Sequence, residues 1–231
     1  MASLEGHVDG IYALAKSPKR LDVAASGSGD GEIRLWDLNR QHMFYSYPKA
    51  HSGIIQSLCM SPLSFTGGVS ANESATTGHR MLSCSVDRTI KVWDADPVPS
   101  GVGQYVEYDE DDDEVSGVHD TMLLGVREPE VMPGEPLAVY SGRSAFNALT
   151  HHAHAPRFAS ASDVVQVWDL SRAGGDALRT ISWGPDSINA LRFNQSEPEL
   201  LVGAGSDRSI VLYDLRTSKP LTKAILNVRA C

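Results

Sequence analysis

Residues 26–40 read SGSGDGEIRLWDLNR, and the phrase returns as SCSVDRTIKVWD at 83–94 and GSDRSIVLYD at 205–214. Each time an Asp stands six residues before an aromatic residue: Asp30 and Trp36, Asp87 and Trp93, Asp207 and Tyr213. A fixed spacing that recurs is the mark of a repeat architecture. Working outward from Trp36, IYALAKS (11–17), LDVAASGS (21–28), EIRLWDL (32–38) and HMFYSYP (42–48) each read as a short strand. Asp30-Gly31 between the second and third is a tight-turn signal. In EIRLWDL the alternation puts Ile33 and Leu35 on one face. Four strands per unit, opened by Gly6-His7 and closed by Trp36-Asp37, form the signature of a propeller blade.

The recurring polar residues have a physical reading. A turn Asp can accept from a blade-opening His and from turn amides, and a buried indole N–H needs an acceptor. A Ser hydroxyl on the middle strand can link the two, and such a network is stable only when every member is satisfied. The first unit offers His7, Ser26 or Ser28, Asp30 and Trp36; the second offers His51, Ser83 or Ser85, Asp87 and Trp93. Asp30, Asp87 and Asp207 therefore read as structural acceptors rather than general bases.

The predicted organisation is a first blade over 1–49, a second over 50–96, an acidic and disordered insert over 97–136, a third blade over 137–182 and a fourth over 183–231. A polar Gly/Ser/Thr-rich loop over 65–80 interrupts the second blade. The third blade takes LAVYSG, FNALTHH, RFASAS and VVQVWDL as its strands. Its turn has lost a residue, since Ser162 rather than Asp163 lies six before Trp168, and its network is expected to be incomplete. The fourth blade reads INALRFN (188–194), ELLVGAGS (199–206), SIVLYDL (209–215) and LTKAILN (221–227), with Asp186 near the place of a blade-opening His.

The chain has 231 residues and a formal net charge of −9, which argues against nucleic-acid binding driven by global charge but leaves room for a local basic face. Part of the acidic excess is one run, EYDEDDDE at 107–114, acidic throughout except for Tyr108. It reads as a solvated loop. The three cysteines, Cys59, Cys84 and Cys231, have no metal-ligand spacing. No apolar stretch approaches a membrane span, so no membrane partner is expected. His151, His152 and His154 in HHAH invite a zinc reading, but no carboxylate or Cys stands at ligand spacing and the segment reads as a turn. There is no nucleophile elbow and no phosphate loop. The expectation is no catalysis, no cofactor, no metal and no small-molecule substrate.

Four units with GH or AH starts and WD or YD ends resemble WD40 repeats. A narrower resemblance lies at 178–229, through Trp183-Gly184, Asp186-Ser187-Ile188, Phe193-Asn194, Asp207-Arg208, Ile210 and Tyr213-Asp214-Leu215-Arg216. With the first blade and the His151-His152 pair, these residues resemble the Sof-type WD40 family of the small-subunit processome. Its metazoan members are also called DDB-and-cullin-four-associated factors. The resemblance implies an all-β propeller of seven blades, of which this chain carries four. It also implies a non-catalytic scaffold role in ribosome biogenesis and maturation of small-subunit rRNA, in the nucleus and nucleolus. The partners it implies are other pre-ribosomal proteins and pre-rRNA or small nucleolar RNA within a ribonucleoprotein.

The alternative function is a substrate receptor of a cullin-RING ubiquitin ligase. Tyr213-Asp214-Leu215-Arg216 is similar to the WDxR pattern that engages the ligase adaptor, with Asp214 and Arg216 as candidate contacts. Lys16, Lys19 and Arg20, after the first strand, and Arg208, on a turn, are candidate rim contacts for protein or RNA phosphate.

Overall fold

In a computed structural model, residues 4–65, 78–96, 134–172, 174–182, 187–217 and 220–225 are described. They fall in one compact unit, Met1–Pro97 with Pro133–Cys231; a second unit, Val98–Met132, lies outside the described residues. So do the acidic run, the loop over 66–77 and Trp183 to Asp186.

Apolar-polar alternation ending in an aromatic-Asp pair generates the central strand of each sheet. Ile33 and Leu35 are fully buried and Arg34 is half-buried, and the same order recurs at Ile90-Lys91-Val92 and Val165-Gln166-Val167. The chain forms four antiparallel four-stranded sheets. The first holds β1 (Ile11–Lys16), β2 (Val23–Ser28), β3 (Ile33–Asp37) and β4 (His42–Tyr47) in that order. The second holds β5 (Ile55–Phe65), β6 (Gly78–Ser85), β7 (Thr89–Asp94) and β8 (Ala138–Ser141). The third holds β9 (Ala148–His151), β10 (Arg157–Ala161), β11 (Val165–Asp169) and β12 (Arg179–Ile181). The fourth holds β13 (Ile188–Phe193), β14 (Leu200–Gly205), β15 (Ser209–Asp214) and β16 (Pro220–Ile225). This is an all-β propeller segment with blades built as meanders.

Two expected boundaries are corrected. LAVYSG is not the first strand of the third blade: β8 pairs with β7, Thr89 opposite Ser141 and Val92 opposite Ala138. The second blade needs a fourth strand to cover the edge of β7, and the chain supplies it only after the long insert. The insert therefore leaves the second blade between its third and fourth strands, and the third blade closes instead with β12. The interrupted hairpin of the second blade is also longer than expected, with Ser64 opposite His79 and Phe65 opposite Gly78 beyond a register shift after Met60.

The blades are joined by a device that strand patterning did not reveal. Tyr47 and Tyr140 hold equivalent places on the outermost strands, opposite Ile33 and Ile90. Each ring reaches the Trp of the next blade, Tyr47 to Trp93 at 4.8 Å and Tyr140 to Trp168 at 5.4 Å between ring centroids. Each hydroxyl donates to the carbonyl of the next blade's Trp-Asp pair, at Asp94 and Asp169. In the third blade Ile181 takes this place and joins a buried cluster with Val211 and Tyr213 of the fourth. Ile33, Ile90 and Val165 hold equivalent places near the start of β3, β7 and β11 and are each 0% exposed; their counterpart Ile210 on β15 is 37% exposed.

The turn before the central strand requires a left-handed residue after its Asp: Gly31 (φ 80°), Arg88 (φ 68°) and Arg208 (φ 66°). At Gly31 a Cβ would stand 2.2 Å from the His51 carbonyl oxygen, while the Gly31 carbonyl accepts the His51 amide at 3.0 Å. Gly31→Ala is thus both strained and obstructed. A loss of roughly 1–3 kcal/mol is expected in urea unfolding, whereas Arg88→Gly should cost less because that site already holds a side chain.

Candidate functional site

The polar networks are clearest in the second blade. Trp93 donates its indole N–H to Ser83 Oγ at 2.8 Å, and Ser83 Oγ lies 2.7 Å from His51 Nε2. His51 Nδ1 is 2.9 Å from Asp87 Oδ2, which also accepts the Ser52 amide at 3.1 Å. Asp87 Oδ1 accepts the Thr89 hydroxyl at 2.7 Å and the Thr89 amide at 2.9 Å. The chain of donors is consistent with a neutral ring protonated on Nδ1. Burial lowers the His51 pKa and outweighs the raising effect of Asp87. For Asp87 burial pulls upward, but the hydrogen bonds from Thr89 and the nearby His51 bring it below the usual carboxylate range. Ser85 plays a different part, accepting the Asp87 amide at 3.1 Å.

The first blade repeats this arrangement more loosely. Ser26, not Ser28, receives Trp36 Nε1 at 2.7 Å and lies 2.7 Å from His7 Nε2. His7 Nδ1 is 3.6 Å from Asp30 Oδ2, too far for a hydrogen bond, and has no partner among the described residues. Asp30 instead accepts the amides of Glu32 at 2.8 Å and Val8 at 3.3 Å. Glu32 stands where the second blade has Thr89, and it pairs with Arg34 at 3.0 Å. Ligand atoms of His7, Asp30 and Glu32 lie within 4.8 Å of one another, but Arg34 already neutralises Glu32.

The third blade keeps only the Trp168 to Ser160 bond, at 2.9 Å. Its Ser-to-Trp separation is 8 residues against 10 in the first two blades, so its turn is two residues shorter, not one. Asp163 accepts the Ser162 hydroxyl at 2.8 Å. The fourth blade replaces the linking Ser by Gly203, whose would-be Cβ lies 3.1 Å from the Tyr213 ring. Asp207 is held by Lys223 Nζ at 2.6 Å and by the Ser209 amide at 3.0 Å. The Lys223 bond is the main cause that brings Asp207 down to about 2. Asp186 lies outside the described residues.

The candidate contact residues divide between the two ends of the segment. The final residues of β1, β9 and β13 line one cavity together with Leu58 to Met60 and Pro62 in the middle of the longer β5, so β1, β9 and β13 run toward the same end. Lys16, Lys19 and Arg20 lie there, and antiparallel order brings Asp214 and Arg216 to that end as well. Arg208, on the turn between β14 and β15, is at the opposite end. Arg20 reaches Asp22 at 3.2 Å and Asp96 at 3.7 Å, tying the first blade to the exit of the second. Arg216 grips Asp214 through Nε at 2.9 Å and a terminal nitrogen at 3.0 Å, with the Arg side chain 61% exposed and the Asp side chain 7%. That bond is the main cause lowering the Asp214 pKa. Asp214 also accepts the Arg216 amide at 2.8 Å, a turn shared by Asp37, Asp94 and Asp169 with the amides of Asn39, Asp96 and Ser171. The carboxylate thus has a structural task in every blade.

The HHAH segment is the end of β9 at His151 followed by the connection to β10. His151 Nδ1–H donates to the His152 carbonyl at 2.6 Å, and His152 Nδ1 accepts the amides of His154 at 3.0 Å and Ala155 at 2.9 Å.

The repeat model described as WD domain, G-beta repeat matches residues 1–37, 43–94 and 175–214. The chain belongs to this WD40 family. The matched segments pass over most of the third blade, the one that lacks the His and Asp of the network. Protein SOF1 of Saccharomyces cerevisiae is 34% identical over 224 residues, 97% of this chain and 41% of that protein. The proteins named DDB1- and CUL4-associated factor 13 of Xenopus tropicalis and Homo sapiens are each 31% identical over 229 residues, 99% of this chain and 41% of each relative. The chain therefore spans about two-fifths of the length of these relatives.

Proposed function

We propose that this WD40 chain is a non-catalytic scaffold of the nucleolar small-subunit processome that supports maturation of small-subunit rRNA. The carrying observation is the 34% identity to Protein SOF1, which extends over 97% of the chain and so includes the degenerate third blade. The polar residues that invite a catalytic reading are engaged in turns and blade closure, which supports a recognition role. Rim loops at the two ends would hold pre-ribosomal proteins, and pre-rRNA or small nucleolar RNA, in fixed relation. A nuclear and nucleolar site of action follows from that role. Sedimentation of the tagged chain from its source cells on a sucrose gradient tests it. Co-migration with large particles containing pre-rRNA is expected; migration as a small free species counts against it.

The name of the DDB1- and CUL4-associated factor 13 relatives favours a second reading, docking on a cullin-ligase adaptor. The exposed Arg216 guanidinium beside Asp214 would be the contact. Arg216→Ala should abolish adaptor pull-down on this reading and leave sedimentation unchanged on the first.

A further inference from the structure

A cavity of about 590 Å³ opens where β1, β9 and β13 end, beside the middle of β5. Leu58, Cys59, Met60 and Phe193 give it an apolar wall. Two cations enter it from different blades: Lys16 at the end of β1 and Arg192 near the end of β13. Neither has an ion-pair partner among the described residues, whereas Arg20, Arg34, Arg157, Arg172, Arg216 and Lys223 all do. Among the described residues no Asp or Glu lines the cavity, although the chain as a whole carries a net charge of −9. His154, Asn194 and Gln195 add polar side chains to the rim.

Unpaired cations in a concave site with low-dielectric walls focus positive potential outward. A guanidinium fork matches two phosphate oxygens, and a lysine ammonium adds a mobile point charge. We propose that this cavity is a binding site for a phosphate group, held between Lys16 and Arg192. The site does not depend on the processome reading, because it is defined by these side chains alone. The phosphate can belong to an RNA backbone or to a small free polyphosphate, and the two sources are separable by competition.

The test uses the full chain with a fluorescein-labelled single-stranded RNA, read by anisotropy over a range of salt, and with pyrophosphate as competitor. Lys16→Ala and Arg192→Ala are each expected to weaken binding several-fold. The double variant should lower the slope of log affinity against log salt by about 1.4, the contribution of two phosphate contacts on a single strand. Arg192→Lys should restore part of the loss, and Arg88→Gln, on the exposed turn before β7 at the opposite end, should leave affinity unchanged. Both cations are exposed, and circular dichroism of each variant checks that the fold is kept. Displacement of RNA by micromolar pyrophosphate assigns the site to small polyphosphates; RNA binding that resists millimolar pyrophosphate assigns it to a nucleic-acid backbone. The proposal is overturned if neither ligand binds, if K16A/R192A binds like the parent, or if R88Q loses as much as the double variant.

Discussion

Trp93→Ala is expected to lower the unfolding free energy by about 3–5 kcal/mol, the range for removing a fully buried large aromatic side chain. The side chain is 2% exposed and sits between two blades. Its ring meets Tyr47 of the first blade at 4.8 Å, and Lys91 Nζ lies 5.9 Å from the ring centroid. Its N–H fills one of the two acceptor positions of Ser83, which is itself fully buried. Truncation therefore opens a cavity at the blade interface and removes one link of a network whose other members stay buried. Trp93→Phe separates these effects: it keeps most of the packing and should cost roughly 1–3 kcal/mol, mainly from the unpartnered polar groups. Urea unfolding of the full chain followed by far-UV circular dichroism measures both. A loss below about 1 kcal/mol for Trp93→Ala would show that the ring is not what joins the first two blades.

The central strands were legible in the sequence because their signals are local. The Asp, the turn and the aromatic lie within one hairpin, so the spacing survives in the chain order. Ser26 and Ser28 share a strand two residues apart, and only the register, with Ser26 opposite Arg34 and Trp36 opposite Ala24, shows which hydroxyl meets the indole. The fourth strand of the second blade was not legible, because an insert separates it from its partner and hydrophobic pattern carries no information on which sheet a strand joins. The counterpart of Tyr47 at Tyr140 is a signal that does identify it: an aromatic residue closing a blade, directed at the next blade's Trp. The phosphate cavity is legible only in three dimensions. Lys16 and Arg192 are far apart in sequence and line one cavity because β1 and β13 finish at the same end of the segment. Lys16 was one of the basic residues the sequence singled out, but Arg192 sits within a strand pattern and carried no loop signal.

Acid should weaken this fold well before its carboxylates titrate, and His151 is the group expected to contribute most. Burial of the ring pushes its pKa from 6.5 down to about 4, against the raising effect of the hydrogen bond to the His152 carbonyl. With Nδ1–H donating to that carbonyl, a second proton would have to go on Nε2, which is buried and has no acceptor among the described residues. The unfolded chain takes up a proton near 6.5 and the folded chain does not until about 4. Between those values the unfolded state binds more protons, so stability rises with pH and is lost as pH falls. The shift corresponds to about 3 kcal/mol across the window, full above its upper edge and gone at its lower edge. Burial lowers His7, His51 and His152 in the same sense, so they steepen the dependence rather than oppose it. Urea unfolding at pH 7.5 and pH 4.5 reads the effect. His151→Phe removes the titrating group, so the difference between the two pH values should shrink by most of that amount, even though the variant loses one hydrogen bond at both. An unchanged difference would place the acid sensitivity in the other histidines and show that His151 charges in the folded state without penalty.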